Sequence, residues 1–124
     1  MADELVQLAT VYGSPGFLLL AFGAQGDPAG CVGVHSLVAD GGRRTGEIRR
    51  MFVRPEYRST GLGRALLADL LQRMADGGFD RAVLNTLPPM EAAIALYTNV
   101  GFELADPYVD EPLDGTLYFS LPIG

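Results

Sequence analysis

The chain has 124 residues, 48% of them hydrophobic and 19% charged, proportions typical of a single globular domain spanning residues 1–124. The net charge of −6 disfavours nucleic acid and anionic membranes as partners and suits an amine ligand, although solubility alone would also explain it. All nine basic residues are arginine, which excludes lysine Schiff bases and the lysine-containing phosphate loop. The single cysteine and single histidine, Cys31 and His35, exclude an intrachain disulfide and a Cys/His zinc site.

Neither a membrane span nor a secretory signal is predicted. The longest apolar stretch near the start, Gly16–Ala24, falls short of the ~20 residues that a membrane-spanning helix needs. The residues before it carry Asp3 and Glu4, whereas a signal peptide begins with basic residues. Together with the unpaired thiol of Cys31, which suits a reducing compartment, these features predict a cytoplasmic protein.

The first half of the chain predicts a short helix and three strands. Residues 3–12 are read as the helix, and the apolar run Phe17–Phe22 as a buried strand between glycines. Cys31–Val38 is read as its hairpin partner, and Gly46–Arg54 as a third strand that Pro55 ends. Turn residues separate these segments at 25–30 and 40–44.

The second half predicts two helices and three strands. Leu62–Ala75 is an amphipathic helix that Gly77 and Gly78 end, and Arg81–Thr86 is the strand after it. A second helix follows Pro88 and Pro89 and ends at Gly101, and its apolar face is formed by Met90, Ala93, Ile94 and Tyr97. Two last strands are expected at Phe102–Val109 and Thr116–Leu121. The order predicts an α+β mixed sheet of antiparallel hairpins with one strand–helix–strand crossover.

The stretch Arg58-Ser-Thr-Gly-Leu-Gly63 lies between the third strand and the amphipathic helix. The N-terminus of a helix offers free N–H groups and partial positive charge, and two glycines let an anion approach the backbone closely. The guanidinium groups of Arg58 and Arg64 add charge that engages phosphate oxygens, so the segment predicts a pyrophosphate site. The alternative is a tight turn without a ligand. The dinucleotide-binding fingerprint is excluded, since its third glycine is missing.

Three segments of the sequence resemble the GNAT acyltransferase superfamily. Arg58-Ser-Thr-Gly61-Leu-Gly63 resembles its R/Q-x-x-G-x-G/A signature, and Glu47–Val53 followed by Arg54–Arg58 resembles the strand and phosphate loop. Ala93–Tyr97 with Gly101-Phe102 resembles its second conserved region. The similarity covers roughly residues 30–122 and implies a GNAT-like fold, with acetyl-CoA as co-substrate and no metal.

The resemblance also implies how the donor is bound. Backbone groups of Arg58–Arg64 would hold the pyrophosphate, and the strand Met51–Val53 would pair with the pantetheine arm where it splays from Val83–Thr86. The apolar pattern, which changes register between Ile48 and Met51, hints at a bulge there, although a strand covered on both faces would look the same. The implied donor-binding residues are Met51, Phe52, Val53, Arg58, Ser59, Thr60, Gly61, Leu62, Gly63, Arg64 and Asn85.

The implied reaction is direct attack of a neutral primary amine on the thioester, with a small-molecule or amino-acid-like acceptor. Tyr97 matches the family's general acid, although a purely structural core tyrosine is the alternative. Glu47 is the candidate base, with a solvated strand carboxylate as its alternative, and His35 is a second candidate for the same role. A backbone N–H of the strand Met51–Val53 would polarise the thioester oxygen.

Two departures from the family pattern concern the acceptor side. Met90 stands where the family often has an asparagine, so Asn85, Thr86 or a water would have to replace that contact. Only sixteen residues precede Phe17–Phe22, where the family usually has a strand and two helices. This predicts an open acceptor side, a second subunit that closes it, or a truncated chain, and an open apolar edge favours a homodimer. Competing hypotheses are a non-catalytic acyl-CoA-binding module and an interaction domain.

Overall fold

The computed structural model describes residues 5–9, 17–23, 26–37, 44–58, 60–109 and 112–123. The strands are β1 (Leu5–Ala9), β2 (Phe17–Phe22), β3 (Pro28–Leu37), β4 (Thr45–Val53), β5 (Arg81–Thr86), β6 (Glu103–Leu104) and β7 (Leu117–Pro122). The helices are α1 (Leu62–Asp76) and α2 (Glu91–Val100), and a 3-10 turn at Pro55–Tyr57 leads into α1. Within these residues, no helix has the length and apolar character needed to cross a membrane.

The seven strands of the described residues form one mixed sheet in the order β1-β2-β3-β4-β5-β7-β6. Neighbouring strands are antiparallel except β4 and β5, which are parallel and connected through α1. This arrangement confirms the predicted α+β mixed sheet with a single parallel crossover. The prediction that residues 1–124 form one domain stays a prediction.

The hydrophobic core lies between the sheet and α1. Leu66, Leu67, Leu70 and Met74 are fully buried on one face of this helix, as its amphipathic pattern predicts. Gly46 of β4 lies beneath them, where an added β-carbon would lie 2.5 Å from Met74 Cε and would force the neighbouring side chains to shift. Because strand residues alternate between faces, the neighbouring Glu47 lies on the opposite face of the sheet.

The prediction of a helix over residues 3–12 is wrong where the structure describes that segment. Leu5–Ala9 forms the edge strand β1, whose backbone pairs antiparallel with β2 from Ala21 to Leu18. A segment this short gains little from helix formation alone, whereas pairing satisfies the free edge of β2. The rest of the predicted helix lies outside the described residues, as do Ser59 and most of the turn at 40–44.

The predicted strand at Phe102–Val109 is also largely wrong. Glu103–Leu104 pairs with β7, the Ala105 N–H donates one further bond to the Tyr118 carbonyl at 2.8 Å, and the chain then leaves the sheet. Pro107 has no N–H to donate to a ladder, which weakens any continuation of the strand. The departing segment carries Tyr108 to the candidate site.

Candidate functional site

The central feature of the site is the divergence of β4 from β5. The two strands pair only at Thr45↔Arg81, Gly46↔Ala82 and Glu47↔Val83, and beyond these residues they separate. The gap opens into a cavity of about 430 Å³, called the acceptor cavity below after the role that the sequence resemblance predicts for it. Its lining consists of Glu47, Ile48, Arg49, Arg50, Met51, Leu84, Asn85, Thr86, Met90 and Tyr97. The splayed pair of strands expected from the sequence is therefore confirmed.

A bulge in β4 sets the direction of the strand after the gap opens. Gly33 pairs with Arg49 and Cys31 with Phe52, so two residues of β4, Arg50 and Met51, face the single residue Val32. Arg50 has φ of 57°, and the Cys31 thiol donates a hydrogen bond to its carbonyl oxygen at 3.2 Å. The bulge that the apolar pattern hinted at is thus present and lies between Arg49 and Phe52.

A second cavity, of about 470 Å³, lies between β4, the turn after it and α2, and is called the donor cavity below, again after its predicted role. Its lining consists of Met51, Phe52, Val53, Tyr57, Arg58, Gly63, Met90, Ala92, Ala93, Leu96 and Tyr97. Three residues, Met51, Met90 and Tyr97, line both cavities, so the two spaces meet at these side chains.

The predicted phosphate loop forms one end of the donor cavity. Gly61, the N-cap residue directly before α1, has φ of 89°, a conformation that glycine adopts without strain. No side chain of the described residues caps the helix, and its first N–H groups, at Leu62, Gly63 and Arg64, have no acceptor within the helix. The loop therefore presents free backbone donors and the positive end of the helix dipole.

Side chains around the loop hold it in shape. Arg58 donates from Nε to the Val53 carbonyl at 3.0 Å, and its guanidinium lies 5.8 Å from the ring centre of Phe52. The hydroxyl of Thr60 donates to the Tyr57 carbonyl oxygen. Arg64 is exposed at the helix start. The structure thus brings the described predicted residues of the loop together at one end of the cleft.

The predicted pantetheine strand lies along the wall of the donor cavity. Phe52 and Val53 pair on one side with Cys31 and Gly30 of β3, and their other side faces the gap rather than β5. Edge groups of this kind are free to pair with an extended ligand, as an added strand would. The side chain of Phe52 is half exposed.

Tyr97 is held at the junction of the two cavities by the end of α2. Its carbonyl accepts hydrogen bonds from Gly101 and Phe102, and the Phe102 ring packs edge-on against its ring at 6.0 Å. Its hydroxyl makes no hydrogen bond with any described residue, and burial raises the pKa of Tyr97 above the usual value for tyrosine. The side chain is therefore rigidly placed, protonated and free to donate.

Glu47 is buried at the point where β4 and β5 separate. One carboxylate oxygen accepts from Arg49 Nε at 2.7 Å, and the other accepts from the Tyr108 hydroxyl at 2.6 Å and more weakly from Asn85 Nδ2 at 3.4 Å. Asn85 also donates to the Tyr108 oxygen at 2.8 Å. Burial, followed by the bond to Glu47, raises the pKa of Tyr108 well above its usual range. These contacts fix the carboxylate toward the acceptor cavity.

Tyr108 is the member of this cluster that the sequence did not single out. It stands 61 residues from Glu47, and no local motif surrounds it. Asn85, predicted to hold the donor, lies with Glu47 in the acceptor cavity and not in the donor cavity. The Thr86 hydroxyl donates to Met90 Sδ at 3.3 Å.

His35, the other candidate base, sits directly opposite Glu47 in the β3–β4 pairing. Cross-strand partners project from the same face of a sheet, so both residues belong to the face away from α1. His35 does not line either of the two cavities described above, whereas Glu47 lines one of them. Among the residues described, no three His, Cys, Asp or Glu side chains are grouped closely enough to bind a metal ion.

The splayed sheet, the glycine loop at the start of α1 and the tyrosine at the end of α2 define the class of acyl-CoA-dependent N-acyltransferases. The chain belongs to the acetyltransferase (GNAT) family, whose model matches residues 3–102. This confirms the family and the fold that the sequence resemblance implied.

Individual proteins agree with this assignment. An uncharacterised N-acetyltransferase of Schizosaccharomyces pombe is 36% identical over 120 residues, which cover 96% of this chain and 72% of that protein. The structure resembles a GNAT-family acetyltransferase of Staphylococcus aureus with a TM-score of 0.75 at 23% identity, covering 90% of this chain and 70% of the other. It also resembles a GNAT-family acetyltransferase of Elizabethkingia anophelis with acetyl-CoA bound, with a TM-score of 0.72 at 21% identity, covering 90% and 79%.

Proposed function

We propose that this protein transfers the acetyl group of acetyl-CoA to a primary amine of a small molecule by direct attack. The observation that carries the proposal is the position of Tyr97, which lines both the donor and the acceptor cavity and whose hydroxyl is bonded to no described residue. The volume of the acceptor cavity, about 430 Å³, suits a small molecule. Met51–Val53 would hold the pantetheine arm, and the loop from Arg58 to Arg64 would hold the pyrophosphate.

The proposed reaction proceeds in one displacement. The amine nitrogen forms a bond to the thioester carbonyl carbon, and the carbon–sulfur bond breaks. Tyr97 donates its proton to the departing sulfur, which leaves as the thiol of CoA. Glu47, directly or through a water, takes the proton that the amine loses, and exchange with solvent restores both residues. A backbone N–H of Met51–Val53 would stabilise the oxyanion.

Titration of the purified protein with acetyl-CoA, followed by an assay for CoA thiol release with a panel of amines, tests this function. We expect micromolar binding of acetyl-CoA and amine-dependent thiol release. Binding without release for any amine would instead support a non-catalytic acyl-CoA-binding module. Absence of binding would contradict the donor-site assignment and leave an interaction domain as the remaining hypothesis.

Replacing Glu47 with glutamine is expected to lower kcat/KM about 100-fold at neutral pH, because the amide cannot accept a proton from the amine. The amide oxygen still accepts a bond from Tyr108, so the fold should survive. The deficit should shrink as the pH approaches the amine pKa of ~10, where the neutral amine no longer needs the base. Steady-state kinetics from pH 7 to 10 measure both effects.

Glu56→Gln is the matched control, since Glu56 is an exposed carboxylate that is also paired with an arginine, Arg54, at 2.7 Å. It should leave kcat/KM unchanged. An equal loss in both variants, or none in Glu47→Gln, would remove Glu47 from the mechanism.

The proposed location is the cytoplasm, since the free thiol of Cys31 suits a reducing compartment. The homodimer expected from the sequence stays a prediction.

A further inference from the structure

Arg50 occupies a backbone conformation that does not suit an arginine. Its φ of 57° makes it the one residue other than glycine with positive φ in the described part of the chain. A β-carbon disfavours this region, whereas glycine enters it freely and asparagine enters it more easily than other residues. The bulge itself therefore does not need an arginine, and such strained positions commonly belong to functional sites.

The guanidinium of Arg50 also has no partner among the described residues. Three other arginines are paired: Arg49 with Glu47, Arg54 with Glu56 and Arg73 with Asp69. Arg64 and Arg81 also lack a side-chain partner among the described residues, but neither lines one of the two cavities. Arg50 donates no side-chain hydrogen bond, forms no ion pair with any described residue and is exposed. An arginine that is fixed at its backbone and free at its end is available to a ligand.

The charged residues around the acceptor cavity indicate which charge that ligand carries. Arg49 and Arg50 line the cavity beside a single carboxylate, that of Glu47, which Arg49 already neutralises. One uncompensated positive charge remains at this cavity in a chain whose net charge is −6. A simple alkylammonium would be repelled by Arg50, whereas an amine that also carries an anionic group would be attracted.

The phosphates of the donor do not account for this charge. Arg50 does not line the donor cavity, and the phosphate loop, with Arg58 and Gly63, forms part of that second space. The acceptor cavity is thus left with an arginine that the donor site does not use.

We propose that Arg50 is an anion-binding residue of the acceptor site, and that the acceptor is an amine bearing a carboxylate or a phosphate. The proposal rests on the proposed function and specifies its substrate class. The β4 bulge holds the Arg50 backbone, and the Cys31 hydrogen bond to its carbonyl fixes the bulge. Arg49, the residue before Arg50, lines the same cavity. Only its Nε bonds Glu47, so its two Nη groups are available to the anion as well. The anion would be held there while the amine faces Glu47 and Tyr97.

Matched amines test the proposal: alanine against alaninamide, and O-phosphoethanolamine against ethanolamine. In the natural protein, kcat/KM should be about 10- to 100-fold higher for the anionic member of at least one pair. A preference within the alanine pair would indicate that the site binds a carboxylate, and a preference within the ethanolamine pair would indicate a phosphate. Arg50→Gly should remove this preference: KM should rise for the amine that carries an anionic group, whereas KM for its uncharged counterpart should stay the same or fall, because the repulsion of the ammonium by Arg50 is lost.

Two controls separate recognition from folding. Arg50→Gly should unfold at the same temperature as the natural protein or a higher one, because glycine accepts a φ of 57°. Arg73→Gln removes an equal charge from α1, away from both cavities, and should keep the preference for the anionic amine.

Calorimetric titration keeps the proposal testable without turnover. Protein saturated with CoA would be titrated with N-acetylalanine, N-acetylalaninamide, O-phosphoethanolamine and ethanolamine. Suppose that a compound with an anionic group binds, that Arg50→Gly weakens its binding about 10-fold or more, and that no amine is acetylated. This result would reject the transfer reaction but would support the anion site. The proposal would be overturned if compounds with and without an anionic group had equal kcat/KM and equal affinity. It would also be overturned if Arg50→Gly kept the preference for the anionic group.

Discussion

Replacing Gly63 with aspartate is expected to abolish detectable acetyl-CoA binding while the protein remains folded. A β-carbon at this position would have its nearest neighbours, Leu96, Met51 and Val53, at 3.6–3.7 Å, which is ordinary contact distance. The new carboxylate would stand in the first turn of α1, where a negative charge stabilises the helix. It would occupy the place proposed for the pyrophosphate and repel it, which should weaken binding more than 100-fold, about 3 kcal/mol.

Gly63→Ala is the control for this substitution, because it adds the β-carbon without the charge. We expect acetyl-CoA affinity to change far less than with aspartate, and both variants to unfold within a few degrees of the natural protein. Calorimetric titration and thermal unfolding measure the two quantities. Undiminished binding by Gly63→Asp would show that the loop is a tight turn and not a phosphate site.

Removing the hydroxyl of Tyr97 should lower kcat by about 100- to 1000-fold and change KM for acetyl-CoA little. Phenylalanine keeps the ring that packs against Phe102 but cannot protonate the departing thiolate. Since the hydroxyl bonds to no described residue, no partner is left unsatisfied and stability should hold. A chemistry-limited assay, verified by a burst or single-turnover experiment, is needed for the comparison.

The pH profile gives a second readout for Tyr97. Burial raises its pKa, so the protonated form that a general acid requires persists up to a pH above ~10, the usual tyrosine value. The rate should therefore rise as the amine deprotonates and fall only above this pH, and Tyr97→Phe should lack the fall. Tyr118→Phe changes a buried tyrosine that lines neither of the two cavities, and it should behave as the natural protein does. An unchanged kcat in Tyr97→Phe would remove this residue from the mechanism.

The fold of the segments proposed to bind the donor could be predicted from the sequence because these segments are local. The loop and the first turn of α1 lie within a few consecutive residues, and their backbone geometry follows from Gly61 and the amphipathic helix after it. Arg81–Thr86 was predicted with its correct bounds because a glycine pair before it and prolines after it mark its ends.

The acceptor half could not be predicted in the same way. Tyr108 reaches Glu47 across 61 residues, and that contact depends on the chain leaving the sheet after Leu104. The apolar pattern around Tyr108 instead suggested a longer strand. Residues 5–9 were misread for a related reason, since their structure is decided by the backbone edge of β2 and not by their own periodicity.

The two halves of the proposed site differ in whether main-chain or side-chain groups form them, and this affects how the substrate of such an enzyme could change in evolution. As proposed, the donor half would rely mainly on main-chain groups of one loop and one strand, which most substitutions leave in place. The acceptor half would rely on the buried Glu47 and on side chains at positions 49, 50, 85 and 108, of which three are exposed and one is half-buried, none within the hydrophobic core. Selection could therefore exchange one acceptor for another by altering a few of these side chains, while the machinery for handling acetyl-CoA is inherited unchanged.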